Sequence, residues 1–328
     1  VQLFFIASAF TLLMSWNRQQ GGFFKKTTKF FIRRFFRIMP MYYVGCLLYF
    51  IIRPPLDKFS FEQLFATMTF LNSWSPEYMT TIADGWQVVP GGWSIGVEFS
   101  FYFIFPLLVL LVTSLYRSIL FFVVGLAIAF FSYTLGMEYY EKIYGDEATK
   151  SFLFFWLPNQ LGIFSIGFIF YFFSQSKSFL IERIKWFVCE RALSVFTCTI
   201  LLLIMYSQVG VNKHFSPVFP WIPVHYTISF VFFIFAVVMF EKNLFFMVNP
   251  YVISLGQVSF SAYIIHFSII QMFKYPILIK ATGVLSIGYY CFLLIVVVLI
   301  TYVLSKLTYH FIEKPFVGFA RILCKKIG

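Results

Sequence analysis

Long apolar runs recur along the whole chain and leave it few ways to fold. They fall at Val1–Trp16, Ile38–Ile52, Trp93–Thr113, Ser118–Gly136, Phe152–Phe173, Ala192–Val209, Ile222–Phe240, Tyr251–Phe273 and Val284–Thr308. Most approach the ~20 residues that a helix needs to cross a bilayer. They are continuous rather than alternating, which favours helices over the strands of a barrel. A fragment at Phe61–Leu71 is too short to span. The sequence predicts an all-α, polytopic transmembrane bundle forming a single domain over residues 1–328, with about nine spans visible. Composition agrees: 60% of the 328 residues are hydrophobic and 12% are charged, more apolar surface than a water-soluble fold can hide.

The net charge of +12 fits Lys and Arg retained on the cytoplasmic side. Nucleic-acid binding is disfavoured, because no separate soluble basic domain is visible. A basic stretch from Arg18 to Arg37 holds Lys25, Lys26, Lys29, Arg33, Arg34 and Arg37. If it is cytoplasmic, alternate loops with Arg117, with Lys177, Arg183, Lys185 and Arg191, with Lys242, and with Arg321, Lys325 and Lys326 fall on the same side. Acidic loops with Asp57, Glu62, Glu77 and Asp84, and with Glu138, Glu141, Asp146 and Glu147, fall opposite. Arg53, Lys213, Lys274, Lys280, Glu182 and Glu190 run against this pattern. The expected location is an inner or plasma membrane, with the C-terminus cytoplasmic. Val1 then falls outside, so a tenth span is expected upstream, with both ends of the whole protein in the cytoplasm. The first run lacks the basic flank and cleavage site of a signal peptide. The five cysteines are scattered without a Cys-x-x-Cys pair, so neither a disulfide framework nor a metal site is indicated.

Several polar groups interrupt the apolar runs. Glu98 lies near the start of its run, and an acid at such depth is costly enough to be a functional candidate. A water-boundary position or balance of a buried cation explains it equally well. Ser94, Glu98 and Tyr102 are spaced four apart and share one helical face, near the outer boundary. Arg34 and Arg37 are three apart on an amphipathic helix rich in Phe. Their guanidinium forks suit a phosphorylated cytoplasmic donor, or simply lipid phosphates. Asn159 and Gln160, after Pro158, suit sugar hydroxyls or the commoner work of joining helices. Ser259, Tyr263 and His266 share a helical face, where a lone His is ordinarily a packing residue. His310 and Glu313 lie near the cytoplasmic end of the last span, where a His has an ordinary capping explanation and Pro315 is expected to end the helix.

The segments LFFIASAF, KFFIRRFFRIMPMYY, WSIGVEFSFYFIFPLL, LPNQLGIFSIG, SFSAYIIHFSII and YHFIEKPFVGFARIL occur in an order and spacing that resemble the membrane-bound acyltransferase 3 family. The resemblance implies transfer of an acyl group, often acetyl, from cytoplasmic acyl-CoA to a hydroxyl of an extracytoplasmic or lipid-linked carbohydrate. Acyl-CoA is then the donor substrate, with no bound cofactor. The family's Arg-x-x-Arg element falls on Arg34 and Arg37, implying donor binding. Its Trp-Ser-x-x-Val-Glu element falls on Trp93, Ser94, Val97 and Glu98. The family's catalytic His is expected in a span upstream of Val1, with Glu98 orienting it, binding the acceptor or sharing the proton work, and the present stretch alone is expected to be inactive. Ser94, Tyr102, Asn159, Gln160 and His266 are expected around the acceptor. Ala9 stands where the family has Gly, which predicts a looser helix approach there. The rival readings are a lipid or sugar transporter, against which the lack of visible broken helices counts, and a scaffold without chemistry.

Overall fold

The computed structural model describes residues 1–53, 60–78, 88–191, 194, 197, 249–280 and 287–327, with side chains omitted from 274 to 290. Its helices are α1 (Gln2–Asn17), α2 (Phe23–Ile52), α3 (Phe61–Met68), α4 (Trp93–Leu111), α5 (Leu115–Tyr144), α6 (Asp146–Phe155), α7 (Leu157–Gln175), α8 (Phe179–Glu190), α9 (Pro250–Lys280), α10 (Ile287–Thr308) and α11 (Lys314–Lys326), with a π-helical turn at Tyr309–Glu313. No strand occurs among the described residues. Among the described residues, six stretches are long and apolar enough to cross a membrane: Phe23–Ile52, Trp93–Leu111, Leu115–Tyr144, Asp146–Gln175, Pro250–Phe273 and Cys291–Lys326. α1 is a shorter apolar helix. The predicted spans Ala192–Val209 and Ile222–Phe240 lie outside the described residues, apart from positions 194 and 197. Leu47, Ile51, Leu107, Phe131, Leu135, Leu294 and Leu299 are exposed, which suits a lipid-facing surface. The protein is a multi-pass helical membrane protein.

Two compact units divide the chain. The first is Val1–Gln20, Phe70–Asp84 and Trp93–Phe246. Its core is aromatic: Phe164 of α7 stacks on Phe5 of α1 and Phe101 of α4, with ring centroids 4.7 and 3.8 Å away. α1 and α7 pack closely. A Cβ added to Gly167 would lie 2.5 Å from the Ile6 carbonyl oxygen and 2.7 Å from the Ala9 Cβ. The looser approach expected from Ala9 is therefore not seen, because the glycine that admits the contact stands on the opposite helix. Gly125 likewise brings α5 against the Gly162 backbone of α7. Small residues serve this way wherever lipid supplies no hydrophobic drive between helices.

The predicted span Phe152–Phe173 is two helices rather than one. Trp156, just before the Leu157–Pro158 pair, takes an extended backbone (ψ 138°) and separates α6 from α7. Pro158 cannot donate to the Phe154 carbonyl.

The second unit is Gly21–Thr69, Gly85–Gly92 and Met247–Gly328. Its α2 has 30 residues, roughly 45 Å at the helical rise, longer than the ~30 Å hydrocarbon core. The basic stretch and the span after it, expected as separate pieces, form one helix. Pro40 lies inside it and is buried; one proline bends a helix but does not end it when its neighbours repair the backbone. α2 packs on α9, where the Tyr49 hydroxyl donates to the Ile264 carbonyl at 2.7 Å. On α11, Phe36 meets Phe319 edge to face at 5.3 Å.

Candidate functional site

The first unit places Glu98 on the buried side of α4. Its carboxylate is 6% exposed, and both hydroxyls that reach it converge on one oxygen. Ser8 of α1 donates to Oε1 at 2.5 Å, and Tyr102, one turn along α4, donates to the same atom at 2.5 Å. Ser94 is buried one turn earlier on that helix. The spacing of Ser94, Glu98 and Tyr102 thus gives the shared face that sequence predicts, while Ser8 was missed. A serine inside an apolar run gives no signal of a contact 90 residues away.

A loop after α3 closes on α4 within the same unit. Phe70 takes a left-handed backbone (φ 62°), uncommon for a bulky residue, and stacks on Phe99 at 3.7 Å. The Trp74 indole donates to Ser100 Oγ at 2.6 Å. Between these anchors Asn72 and Ser73 are buried against Gly96, which has no room for a side chain. Asn72 Oδ1 and Ser73 Oγ find no hydrogen-bond partner among the described residues. Buried polar atoms without partners are rare and mark places where a polar ligand would be welcome.

Asn159 and Gln160 lie at the break between α6 and α7. The Asn159 amide donates to the Leu153 carbonyl at 2.5 Å, and the Gln160 amide to the Phe154 carbonyl at 2.5 Å. Pro158 leaves the Phe154 carbonyl without its helical donor, and the Leu153 carbonyl keeps a long bond from the Trp156 N–H at 3.4 Å. Ser132 Oγ donates to Asn159 Oδ1 at 3.0 Å. Both NH2 groups thus repair backbone, although Gln160 Oε1 is buried with no partner among the described residues.

In the second unit Arg34 and Arg37 line a cavity of about 630 Å³ together with Lys29, Arg33, Val317, Ala320, Arg321, Cys324 and Lys325. No acidic residue is among the lining. Cys324 Sγ donates to the Lys29 carbonyl at 3.7 Å, tying α11 to α2.

His266 is half-buried on α9, with Nδ1 2.7 Å from the Tyr263 carbonyl oxygen. A carbonyl only accepts, so a proton is assigned to Nδ1. Ser259 donates to its own helix at Gly256, and Tyr263 to the Gly91 carbonyl at 2.9 Å. His310 is exposed, but Glu313 is 3% exposed at the end of the π turn. It accepts a hydrogen bond from Ser261 Oγ and feels the charge of Arg37.

A family model described as an acyltransferase domain, acyltransferase 3, matches residues 1–306. The chain belongs to the acyltransferase 3 family. No curated protein and no solved structure matches it significantly. Membership makes this multi-pass protein an acyltransferase, and the match takes in Ser8, Arg34, Arg37, Glu98 and His266. It stops before His310, Glu313 and α11, so the second wall of the basic cavity lies beyond the matched segment of this acyltransferase.

Proposed function

We propose that the chain transfers an acyl group, acetyl in the simplest case, from acyl-CoA to a hydroxyl of an extracytoplasmic or lipid-linked carbohydrate. The observation that carries the donor half is the cavity around Arg34 and Arg37, lined by six cations and no acid. Such a lining suits a multiply phosphorylated ligand. In this reading the cavity and the C-terminus face the cytoplasm, where acyl-CoA is at hand, with the protein in an inner or plasma membrane; the side on which the basic loops fall supports it.

Acyl transfer forms a bond from the acceptor oxygen to the thioester carbon and breaks the carbon–sulfur bond. The hydroxyl proton goes to a base, and the sulfur of CoA leaves as the thiolate. Glu98 is the acid assigned to the acceptor side. Ser8 and Tyr102 hold its Oε1 from two helices, so its position is settled before a substrate arrives. Ser94, Asn72 and Ser73 supply further polar atoms along the same part of α4. The amides of Asn159 and Gln160 are committed to backbone and contribute rigidity. Incubating the full-length protein with labelled acetyl-CoA and cell-envelope carbohydrate tests the reading. Label passing to carbohydrate supports it, and CoA left intact while carbohydrate crosses the membrane defeats it.

That second outcome belongs to a transporter. The one observation in its favour is the helix break at Trp156, since interrupted helices mark many transporter sites. Here the freed carbonyls are already occupied by Asn159 and Gln160, which leaves little for a cargo to bind.

A further inference from the structure

The basic cavity has two walls with different origins. On α2, Lys29, Arg33 and Arg37 follow one another at four-residue steps, with Arg34 beside them. Facing them on α11, Arg321 and Lys325 are likewise four apart, one turn of helix, with Val317, Ala320 and Cys324 between the two rows. Ala320 and Cys324 are buried and small, so the helices approach closely and the two cationic rows face a common space. The volume of about 630 Å³ is that of a site for a nucleotide-sized ligand.

Resting on the donor reading above, we infer that the two walls recognise two separate phosphate groups of the donor. The α2 row takes the diphosphate, and Arg321 with Lys325 takes the ribose phosphomonoester that distinguishes CoA from dephospho-CoA. Charge supports this division. A diphosphate bridge in a nucleotide carries about two negative charges, and a phosphomonoester near neutral pH adds roughly 1.5–2 more. The four cations on α2 outnumber the charges of the diphosphate, and the two on α11 match those of the phosphomonoester. Arginine forks bind phosphate oxygens in pairs, and a neighbouring lysine adds a point charge. The α11 wall thereby makes the enzyme selective for the complete coenzyme, and it does so with residues outside the segment that the family model matches.

Anionic lipid headgroups offer the same phosphate chemistry, and α11 exposes Phe316, Phe319 and Ile322 in a manner suited to a membrane surface. The test therefore controls the lipid. Binding of acetyl-CoA and acetyl-dephospho-CoA is measured by calorimetry on the full-length protein in phosphatidylcholine nanodiscs, and again with phosphatidylglycerol added. The wild type is expected to bind acetyl-CoA on the order of tenfold more tightly than the dephospho form. The variant Arg321→Gln/Lys325→Gln is expected to lose that preference, with acetyl-CoA weakened to the dephospho level and the dephospho form changed less than about twofold. Equal wild-type affinity for both forms overturns the inference and leaves the donor reading intact. So does equal weakening of both forms in the variant, which would mean a general field. Wild-type protein that binds neither form overturns both readings. Loss of all acetyl-CoA binding when phosphatidylglycerol is added identifies a lipid site and also overturns the inference.

Discussion

Ser8 and Glu98 join α1 to α4 through a 2.5 Å hydrogen bond between residues 90 positions apart. Tyr102 donates to the same carboxylate oxygen from the next turn of α4. A buried acid with two hydroxyls on one oxygen is fixed in place, and each of the three residues can be changed without altering much volume. Glu98→Gln is expected to lower acyl transfer by at least about 100-fold if the carboxylate takes part in proton transfer or orients the group that does. Tyr102→Phe and Ser8→Ala should each lower it less. Their stability costs, about 1–2 kcal/mol apiece, should not add in the double variant, because both bonds end on one atom. Unchanged transfer by Glu98→Gln would remove Glu98 from the chemistry.

The cationic cavity predicts a dependence on salt. Affinity for acetyl-CoA should fall steadily as ionic strength rises from roughly tenth-molar upward, because much of the attraction reaches across a Debye length of ~10 Å. Arg34→Ala/Arg37→Ala should weaken binding at least about tenfold and flatten that dependence. Calorimetry across a salt series checks both, and an affinity indifferent to salt and to the arginines would place the donor elsewhere.

Gly167 is a packing prediction. Valine there would drive methyl groups into the Ile6 carbonyl and Ala9, and overpacking of this kind costs about 1–3 kcal/mol. Thermal unfolding in detergent should show the loss. Gly256, where no described residue lies within 4 Å of an added Cβ, is the control site: alanine there should leave the unfolding temperature nearly unchanged.

The break at Trp156 invites a rescue experiment. Gln160→Leu strips the Phe154 carbonyl of its donor and should cost about 1–3 kcal/mol. Pro158→Ala returns a backbone N–H four residues after Phe154. The double variant should then be more stable than Gln160→Leu alone, as read by unfolding of all three variants. If Pro158→Ala gives no such relief, the Gln160 side chain is not replacing a helical bond.

Much of the bundle was legible because spans declare themselves by length and hydropathy. Trp93–Thr113 became α4 almost residue for residue, and the polar face of Ser94, Glu98 and Tyr102 followed from helical spacing. What stayed hidden depended on partners distant in sequence. Ser8 is one small hydroxyl in a greasy run. Asn72 and Ser73 belong to a loop whose burial comes from Phe70 and Trp74 anchoring on α4. Arg321 and Lys325 read as an ordinary basic tail, since position along a chain does not say which helix α11 will face. Pro158 and its two amides signalled something unusual, but only the backbone shows that their NH2 groups meet the carbonyls at the break. Glu313 read as a helix-end acid because a π turn cannot be told from an α turn by composition.

That π turn sets the phase of everything after it. Tyr309–Glu313 winds wider than the α-helices on either side, in effect an extra residue fitted into one turn. Were the same residues wound as plain α-helix, with none removed, α11 would turn by up to about 100° relative to α10, one residue's rotation. Glu313 would swing away from Ser261, and Arg321 and Lys325 would turn off the cavity together. The chain's last helix is thus indexed like a key on a shaft, and one turn wound too tightly is enough to misalign it.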